Sequence, residues 1–253
     1  MTATAEVPAP RSSATRVHCV PSGRVGPEAA AAVAAFVSDN PDGVLGVATG
    51  ASPRALYAAL VEARQRGLVT DRLTLVALDE YVGLTSGDPR SYLAYVRDHI
   101  ARPLGVPGTR VLVPVGAGAL DAARYEEAIR AVGGVGLQIV GIGRNGHIGF
   151  NEPGSAADSR TRVVTLTPST RSANATFFGD HTEAVPTHAL TQGIATILEA
   201  RTLVLVARGA AKAEALTAAL YGEMTTDLPA SLLQTHPDVT VVADAPALGR
   251  FGA

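Results

Sequence analysis

Short apolar runs alternate along the chain with longer, alanine-rich stretches, and this alternation is the feature that most restricts the possible fold. Runs such as LTLVAL, LQIVGI and LVLVA do not switch regularly between apolar and polar residues. Strands with such sequences are typical of parallel sheets whose two faces are both covered by helices. We therefore predict an α/β protein, a three-layer α/β/α sandwich around a mostly parallel, Rossmann-like, doubly wound sheet.

The same pattern predicts seven strands and six helices. The strands are expected at residues 16–20, 44–48, 73–78, 110–113, 137–142, 203–207 and 239–243. The helices are expected at residues 27–38, 53–66, 91–100, 121–132, 188–198 and 211–221. Several of these helices begin with Pro, Ser or Asp, which are common at helix starts.

Chain length and the N-terminal sequence indicate one domain. The 253 residues are enough for one compact α/β domain and too few for two of ordinary size. Residues 1–14, MTATAEVPAPRSSA, contain no apolar segment, so we expect a disordered tail rather than a signal peptide. Residues 15–253 are expected to form the single domain.

Charge and cysteine content limit the kinds of partner that this protein is expected to bind. The 21 Lys and Arg against 23 Asp and Glu give a net charge of −2, which offers no electrostatic basis for binding nucleic acid or an anionic membrane. No apolar run approaches the roughly 18 to 20 residues of a membrane helix. The single Cys19 excludes an intramolecular disulfide. CxxC and HExxH motifs are absent, so no metal site is predicted. We expect a cytoplasmic protein, monomer or homo-oligomer, whose partner is a small molecule.

Small and polar residues follow four of the predicted strands, at residues 49–53, 79–81, 143–147 and 208–212. In open α/β sheets, ligands bind beyond the carboxyl ends of the strands. The four clusters are therefore expected to converge on one edge of the sheet.

Each cluster has a functional and a structural interpretation. Thr49, Gly50 and Ser52 lie between a strand and a helix, where backbone N–H groups bind phosphate, although Ser52 before Pro53 also fits an ordinary helix N-cap. Asp79 at a strand end fits a general base, or equally a cap or a solvated turn.

The third cluster belongs to the glycine-rich segment of residues 141–154. His147 can exchange protons near neutral pH, and Glu152 can hold its ring. Asn145 followed by Gly146 is also a strong turn signal, which would make the histidine incidental.

These segments carry a resemblance to the glucosamine-6-phosphate deaminase family, and most closely to its shorter, non-allosteric branch. The resemblance rests on LDEYVGL at residues 78–84 and GIGRNGHIGFNEPGS at residues 141–155. It continues through SRTR at 159–162, LTPSTRSAN at 166–174, VPTHALT at 185–191 and LPAS at 228–231, and covers about residues 15–245.

The resemblance implies an enzyme that isomerises and deaminates D-glucosamine 6-phosphate to D-fructose 6-phosphate and ammonia, without a metal or organic cofactor. Asp79 would move a proton between C2 and C1. His147 would open the sugar ring, and Glu152 would orient and help to ionise that histidine. The family's phosphate site matches residues Thr49, Gly50, Ser52 and Lys212.

The chain departs from the family pattern at three positions. Asn145 stands where many relatives have Asp, and an amide orients His147 without supplying a charge. Thr176 replaces a phosphate-binding Arg. Val164 replaces a Lys that binds the activator in regulated relatives, so activation by N-acetylglucosamine 6-phosphate is not expected.

The missing Arg raises the question of how the phosphate is held. Arg208 lies four residues before Lys212 in the same loop and is a candidate replacement, although it also fits a solvated loop charge. Other functions compatible with the sequence are a paralogue for another amino-sugar phosphate and a non-catalytic sugar-phosphate sensor. A 6-phosphogluconolactonase is a weaker alternative, because it is expected to lack the DEYVGL and FNEPG segments.

Overall fold

The structure is a computed structural model and describes residues 9–85 and 87–249. In chain order, its strands are β1 (Thr15–Cys19), β2 (Val44–Val47), β3 (Thr74–Ala77), β4 (Asp79–Tyr81), β5 (Val111–Leu112), β6 (Leu137–Gly141), β7 (Arg162–Thr165), β8 (His188–Thr191), β9 (Thr202–Ala207) and β10 (Val239–Ala243). Seven of them form one sheet in the order β1-β10-β9-β6-β2-β3-β5. All neighbours in this sheet are parallel.

These seven strands are the seven predicted from sequence, and their bounds differ from the prediction by at most one residue at either end. The central strands β2, β6, β9 and β10 are buried over nearly their whole length. Their continuous apolar sequences are explained by this burial, since both faces of the sheet are covered.

The helices are α1 (Val25–Asp39), α2 (Arg54–Gln65), α3 (Tyr92–Val96), α4 (Arg102–Leu104), α5 (Ala119–Ala131), α6 (Pro168–Asn174), α7 (Ile194–Leu198), α8 (Ala213–Tyr221) and α9 (Ala245–Leu248). A π-helical turn at Arg97–Ala101 joins α3 to α4. The helical segment then ends at Gly105, whose φ of 72° is in the left-handed region. The sheet with its flanking helices confirms the predicted three-layer α/β/α sandwich.

One predicted helix is wrong. Residues 188–198 were expected to be helical, but they form β8, followed by the short helix α7. β8 pairs antiparallel with β4 and β7 to form a second sheet in the order β4-β8-β7, which the sequence did not predict. These strands have three or four residues each, so their conformation depends on pairing with distant segments rather than on local propensity.

The second sheet has its own small hydrophobic core of aromatic residues. Tyr81 packs against Tyr92, Phe150 and Phe178, with ring centroids 4.8, 5.7 and 5.4 Å away. This cluster attaches the second sheet to α3 and to the glycine-rich segment.

The predicted disordered tail requires a correction. Residues 1–8 lie outside the described residues, as do residues 250–253 of the predicted domain. The Arg11 N–H donates to the Leu220 carbonyl at 3.0 Å, and the Ala14 carbonyl accepts from the Val239 N–H at 3.2 Å. These contacts place residues 11–14 in the folded unit. Within the described chain, no helix has the length and apolarity to span a membrane.

The order of the strands creates a crevice between β2 and β6. From β2 the chain proceeds outward to β3 and β5, and then returns to the other side of β2 as β6. The connections that leave β2 and β6 therefore diverge at the carboxyl ends of these strands. Such a switch point is where doubly wound sheets bind their ligands.

Candidate active site

A cavity of about 170 Å³ lies at the carboxyl ends of β2 and β6. Six of the residues singled out from sequence line it: Thr49, Gly50, Ser52, Asp79, His147 and Lys212. They come from four separate segments of the chain, as expected from the polar clusters that follow the strands.

The loop between β2 and α2 forms one wall of the cavity. Gly50 has a φ of 96°, a conformation that side chains rarely adopt, so a glycine suits the turn at this point. Before the turn, the buried Tyr57 hydroxyl accepts from the Ala48 N–H at 3.0 Å and donates to the Ala48 carbonyl at 2.8 Å. The end of β2 is therefore held firmly.

The N-cap interpretation of Ser52 does not hold. Pro53 occupies the N-cap position of α2, and no side chain caps the helix there. Ser52 thus lines the cavity and does not cap the helix. The N-terminus of a helix beside a glycine turn is suited to an anion.

Lys212 supplies a positive charge to the same cavity. It ends a 3₁₀ turn, Ala210–Lys212, directly before α8, and is half-buried. Burial and the charge of Arg144 lower the pKa of the Lys212 ammonium. The negative charge of a bound anion would oppose both effects and stabilise the ammonium form of Lys212.

Asp79 opens β4, where its backbone pairs with Thr191, and the residue is 5% exposed. Burial, and secondarily the charge of Glu80, raise the pKa of Asp79 to about 8. At Gly149 an added Cβ would lie 3.4 Å from the Asp79 carboxylate and 3.1 Å from the Thr191 hydroxyl. The absence of a side chain there lets the glycine-rich segment approach the carboxyl group closely.

His147 lies on the wall of the cavity, and Glu152 lies behind it. The His147 Nδ1 atom is 3.7 Å from Glu152 Oε2, within ion-pair range and too long for a hydrogen bond. At Gly143, an added Cβ would lie 2.5 Å from the imidazole ring, so the ring fits only over a glycine. The backbone at this glycine thus determines where the histidine sits.

Asn145 links His147 to Glu152. The Asn145 amide donates to Glu152 at 2.7 Å, and its oxygen accepts the His147 backbone N–H at 3.3 Å. The hydroxyl of Thr170 also donates to Glu152. Burial raises the pKa of Glu152, but the nearby His147 and the hydrogen bonds from Thr170 and Asn145 outweigh it and lower the pKa to about 2. Glu152 therefore remains a carboxylate at any physiological pH.

Arg208 is not among the residues that line the cavity. It is exposed, and its charge is one of the smaller influences on Asp244, whose carboxylate accepts the Gly209 N–H at 2.9 Å. This position favours the solvated-loop interpretation over phosphate binding. Arg144 was not among the site residues predicted from the sequence, but it lies in the glycine-rich loop and acts electrostatically on Lys212. The signal available in the sequence was its place next to Asn145, in a loop already assigned to the site.

The chain is similar in sequence to proteins of one enzyme family. The profile of the glucosamine-6-phosphate isomerases/6-phosphogluconolactonase family matches residues 22–242. The glucosamine-6-phosphate deaminase of Geobacillus sp. (strain WCH70) is 46% identical over 225 residues, which are 87% of this chain and 89% of that protein. The glucosamine-6-phosphate deaminase of Mycolicibacterium smegmatis is 47% identical over 233 residues, which are 90% of this chain and 89% of that protein.

Two solved structures share the fold of this chain. A monomeric glucosamine-6-phosphate deaminase superposes with a TM-score of 0.87 at 40% identity, covering 92% of this chain and 98% of that one. The 6-phosphogluconolactonase from Trypanosoma cruzi has a TM-score of 0.77 at 19% identity, covering 96% and 99% of the two chains, which shows a common fold alone.

Proposed function

The chain belongs to the glucosamine-6-phosphate isomerase and 6-phosphogluconolactonase family, and we propose that it converts D-glucosamine 6-phosphate and water to D-fructose 6-phosphate and ammonia. One observation carries the proposal. A buried carboxyl group of raised pKa, Asp79, and a histidine backed by a carboxylate, His147, line the same cavity as an anion-binding loop.

The phosphate group is bound by the loop of residues 49–53 and by Lys212. The loop offers backbone N–H groups and hydroxyls, and the ammonium supplies the charge. From a phosphate bound there, the sugar chain extends toward Asp79 and His147, which line the remaining walls of the cavity.

The reaction proceeds by proton transfers that open the ring and move a hydrogen from C2 to C1. His147 takes the proton of the anomeric hydroxyl and gives one to the ring oxygen, which opens the ring to the aldehyde. Asp79 removes the proton from C2 and returns a proton to C1, while the aldehyde oxygen gains a proton and the amine nitrogen loses one, which leaves an imine at C2 and a hydroxyl at C1. Water adds to that imine, ammonia departs, and the ketone of fructose 6-phosphate remains. Glu152 stabilises the protonated imidazole through its negative charge.

The location of the protein follows from the proposed substrate. Sugar phosphates carry a negative charge and do not cross membranes unaided, so the enzyme and its substrate must share a compartment. We propose the cytoplasm.

A coupled assay for the release of ammonia and fructose 6-phosphate from glucosamine 6-phosphate tests the proposal. Equal amounts of the two products are expected. Activity on 6-phosphogluconolactone, or on another amino-sugar phosphate with none on glucosamine 6-phosphate, would contradict it.

Replacing Lys212 by Met is expected to raise KM for glucosamine 6-phosphate by roughly 10- to 150-fold. A charge-assisted hydrogen bond contributes about 1.5 to 3 kcal/mol to binding, and Met keeps the length of the side chain without the charge. Because the phosphate is distant from the reacting carbons, kcat should change less than KM. Steady-state kinetics with varied substrate measure both.

The variants Arg144→Ala and Arg208→Ala are a matched pair that tests which arginine helps Lys212 to bind the phosphate. The loss of Arg144, an exposed charge beside Lys212, is expected to raise KM by up to about fivefold, whereas the loss of Arg208 should leave it unchanged. A larger effect of Arg208 than of Arg144 would restore Arg208 as the replacement for the family's Arg.

A further inference from the structure

Glu80 follows Asp79 directly in β4, and its side chain does not reach the cavity. Successive residues of a strand point to opposite faces, so the Asp79 side chain faces the cavity and the Glu80 side chain faces α3. Glu80 is 4% exposed, and none of the reaction steps described above uses it. An acidic side chain is rarely buried without partners, so its contacts require an explanation.

Three backbone N–H groups donate to the Glu80 carboxylate. The N–H of Tyr81 donates to Oε1 at 2.8 Å, the N–H of Tyr92 to Oε1 at 2.9 Å, and the N–H of Leu93 to Oε2 at 2.8 Å. Ser91 accepts from the next free N–H of α3, that of Ala94. Burial raises the pKa of Glu80, and the three N–H groups oppose that rise by occupying both oxygens as acceptors, which is the arrangement of an ionised carboxylate.

These contacts join two parts of the cavity wall. Tyr92, whose N–H binds Glu80, lines the cavity together with Asp79. The Glu80 side chain thus fixes the start of α3 relative to β4. It also holds a negative charge one residue from the proposed base.

We propose that Glu80 is a positioning residue, an inference that rests on the proposed function. Its side chain fixes Asp79 against α3, and its buried negative charge makes Asp79 a stronger base. Proton abstraction from carbon next to a carbonyl is difficult for a carboxylate of ordinary basicity. A neighbouring negative charge that cannot be hydrated raises the affinity of Asp79 for a proton, and so its strength as a base.

The other ionisable groups around the pair do not supply this charge. Tyr81, Tyr92 and Tyr125 have pKa values raised mainly by burial, so they are neutral, and His147 and Lys212 in the cavity carry no negative charge. Asp88 acts on Glu80, but it is paired with Arg90 through bonds of 2.9 and 2.7 Å.

The first test titrates Asp79 in substrate-free protein by infrared difference spectroscopy, with each variant's Asp79→Asn counterpart as reference. In Glu80→Gln, the midpoint of the Asp79 titration is expected to fall by about one pH unit, because burial remains and only the charge is removed. An unchanged midpoint overturns the proposal, whether or not the protein proves to be a deaminase.

The second test uses the pH dependence of activity. In Glu80→Gln, the rise of kcat/KM with pH should move to lower pH and its plateau should fall, while KM changes little. The substrate's own ionisation is common to both proteins and cancels in the comparison. An inactive wild-type protein would count against the proposed function alone, since the infrared titration still decides the role of Glu80.

Two further variants separate charge from geometry and from stability. Glu80→Asp retains the charge but is too short for all three N–H groups, so kcat should fall. If Glu80→Gln does not fold, full kcat in Glu80→Asp overturns the positioning role.

Glu126→Gln is the matched control, because Glu126 is also buried and accepts the Thr161 N–H at 2.9 Å, outside the cavity. It is expected to lower stability without moving the Asp79 titration, and an equal movement would contradict the proposal.

Discussion

Asp79→Asn is expected to reduce kcat by about 10²- to 10⁴-fold, which is the usual contribution of a general base. The amide keeps the shape of the side chain but cannot accept the proton from C2. Substrate binding should be nearly unchanged, because the phosphate loop and Lys212 are intact. If the variant kept more than about a tenth of kcat, a barrier change below about 1.4 kcal/mol, Asp79 would not be the base.

The stability of this variant provides an independent check. In the folded protein the pKa of Asp79 is raised to about 8 by burial and then by Glu80, from 3.8 for an unperturbed carboxyl. The folded state therefore holds the proton more tightly than the unfolded state. The stability that this provides is complete below pH 3.8 and is lost as the pH rises through 8. Relative to Asp79→Asn, the wild-type protein should lose free energy of unfolding over this interval. If the free energies of unfolding of the two proteins, measured with denaturant, change with pH in parallel, the Asp79 carboxyl has an ordinary pKa.

His147→Asn is expected to lower kcat by a similar 10²- to 10⁴-fold, because proton transfer to and from the ring oxygen is lost. Asparagine is short enough to fit over Gly143, where the imidazole ring lies, so the loop should keep its conformation. Steady-state kinetics should show KM changing much less than kcat.

His18→Asn is the matched control for that variant. His18 is exposed and pairs with Glu28 at 3.1 Å, at the edge strand β1 and outside the cavity. Its replacement should leave kcat unchanged. Full activity in His147→Asn would assign ring opening to another group or to solvent.

Much of the main sheet could be predicted because its signal is local. The continuously apolar sequence of a strand such as β9 reflects burial on both faces, whatever its neighbours are. The second sheet had no such signal. β8 contains Ala and Leu, which suit a helix, and it is extended because it pairs with β4 and β7.

The residues of the candidate site also divide into those that the sequence predicts and those that it does not. Residues such as Gly50 and His147 were found because turn glycines and ionisable side chains after strands are visible in the sequence. Arg208 was a plausible phosphate ligand by its spacing from Lys212, but the direction of a side chain in a loop is not encoded in spacing, and it lies outside the cavity.

The sequence by itself determined the parallel sheet, the edge at which the polar loops meet, and the residue types available there. These properties follow from local apolarity and from glycines that permit tight turns. Only the tertiary structure decided that Asp79 is buried with a raised pKa, that Glu80 is bound by the N–H groups of Tyr92 and Leu93, and that Arg144 rather than Arg208 acts on Lys212. The physical reason is that burial and charge–charge interactions depend on distances between segments far apart in the chain, and those distances exist only once the chain has folded.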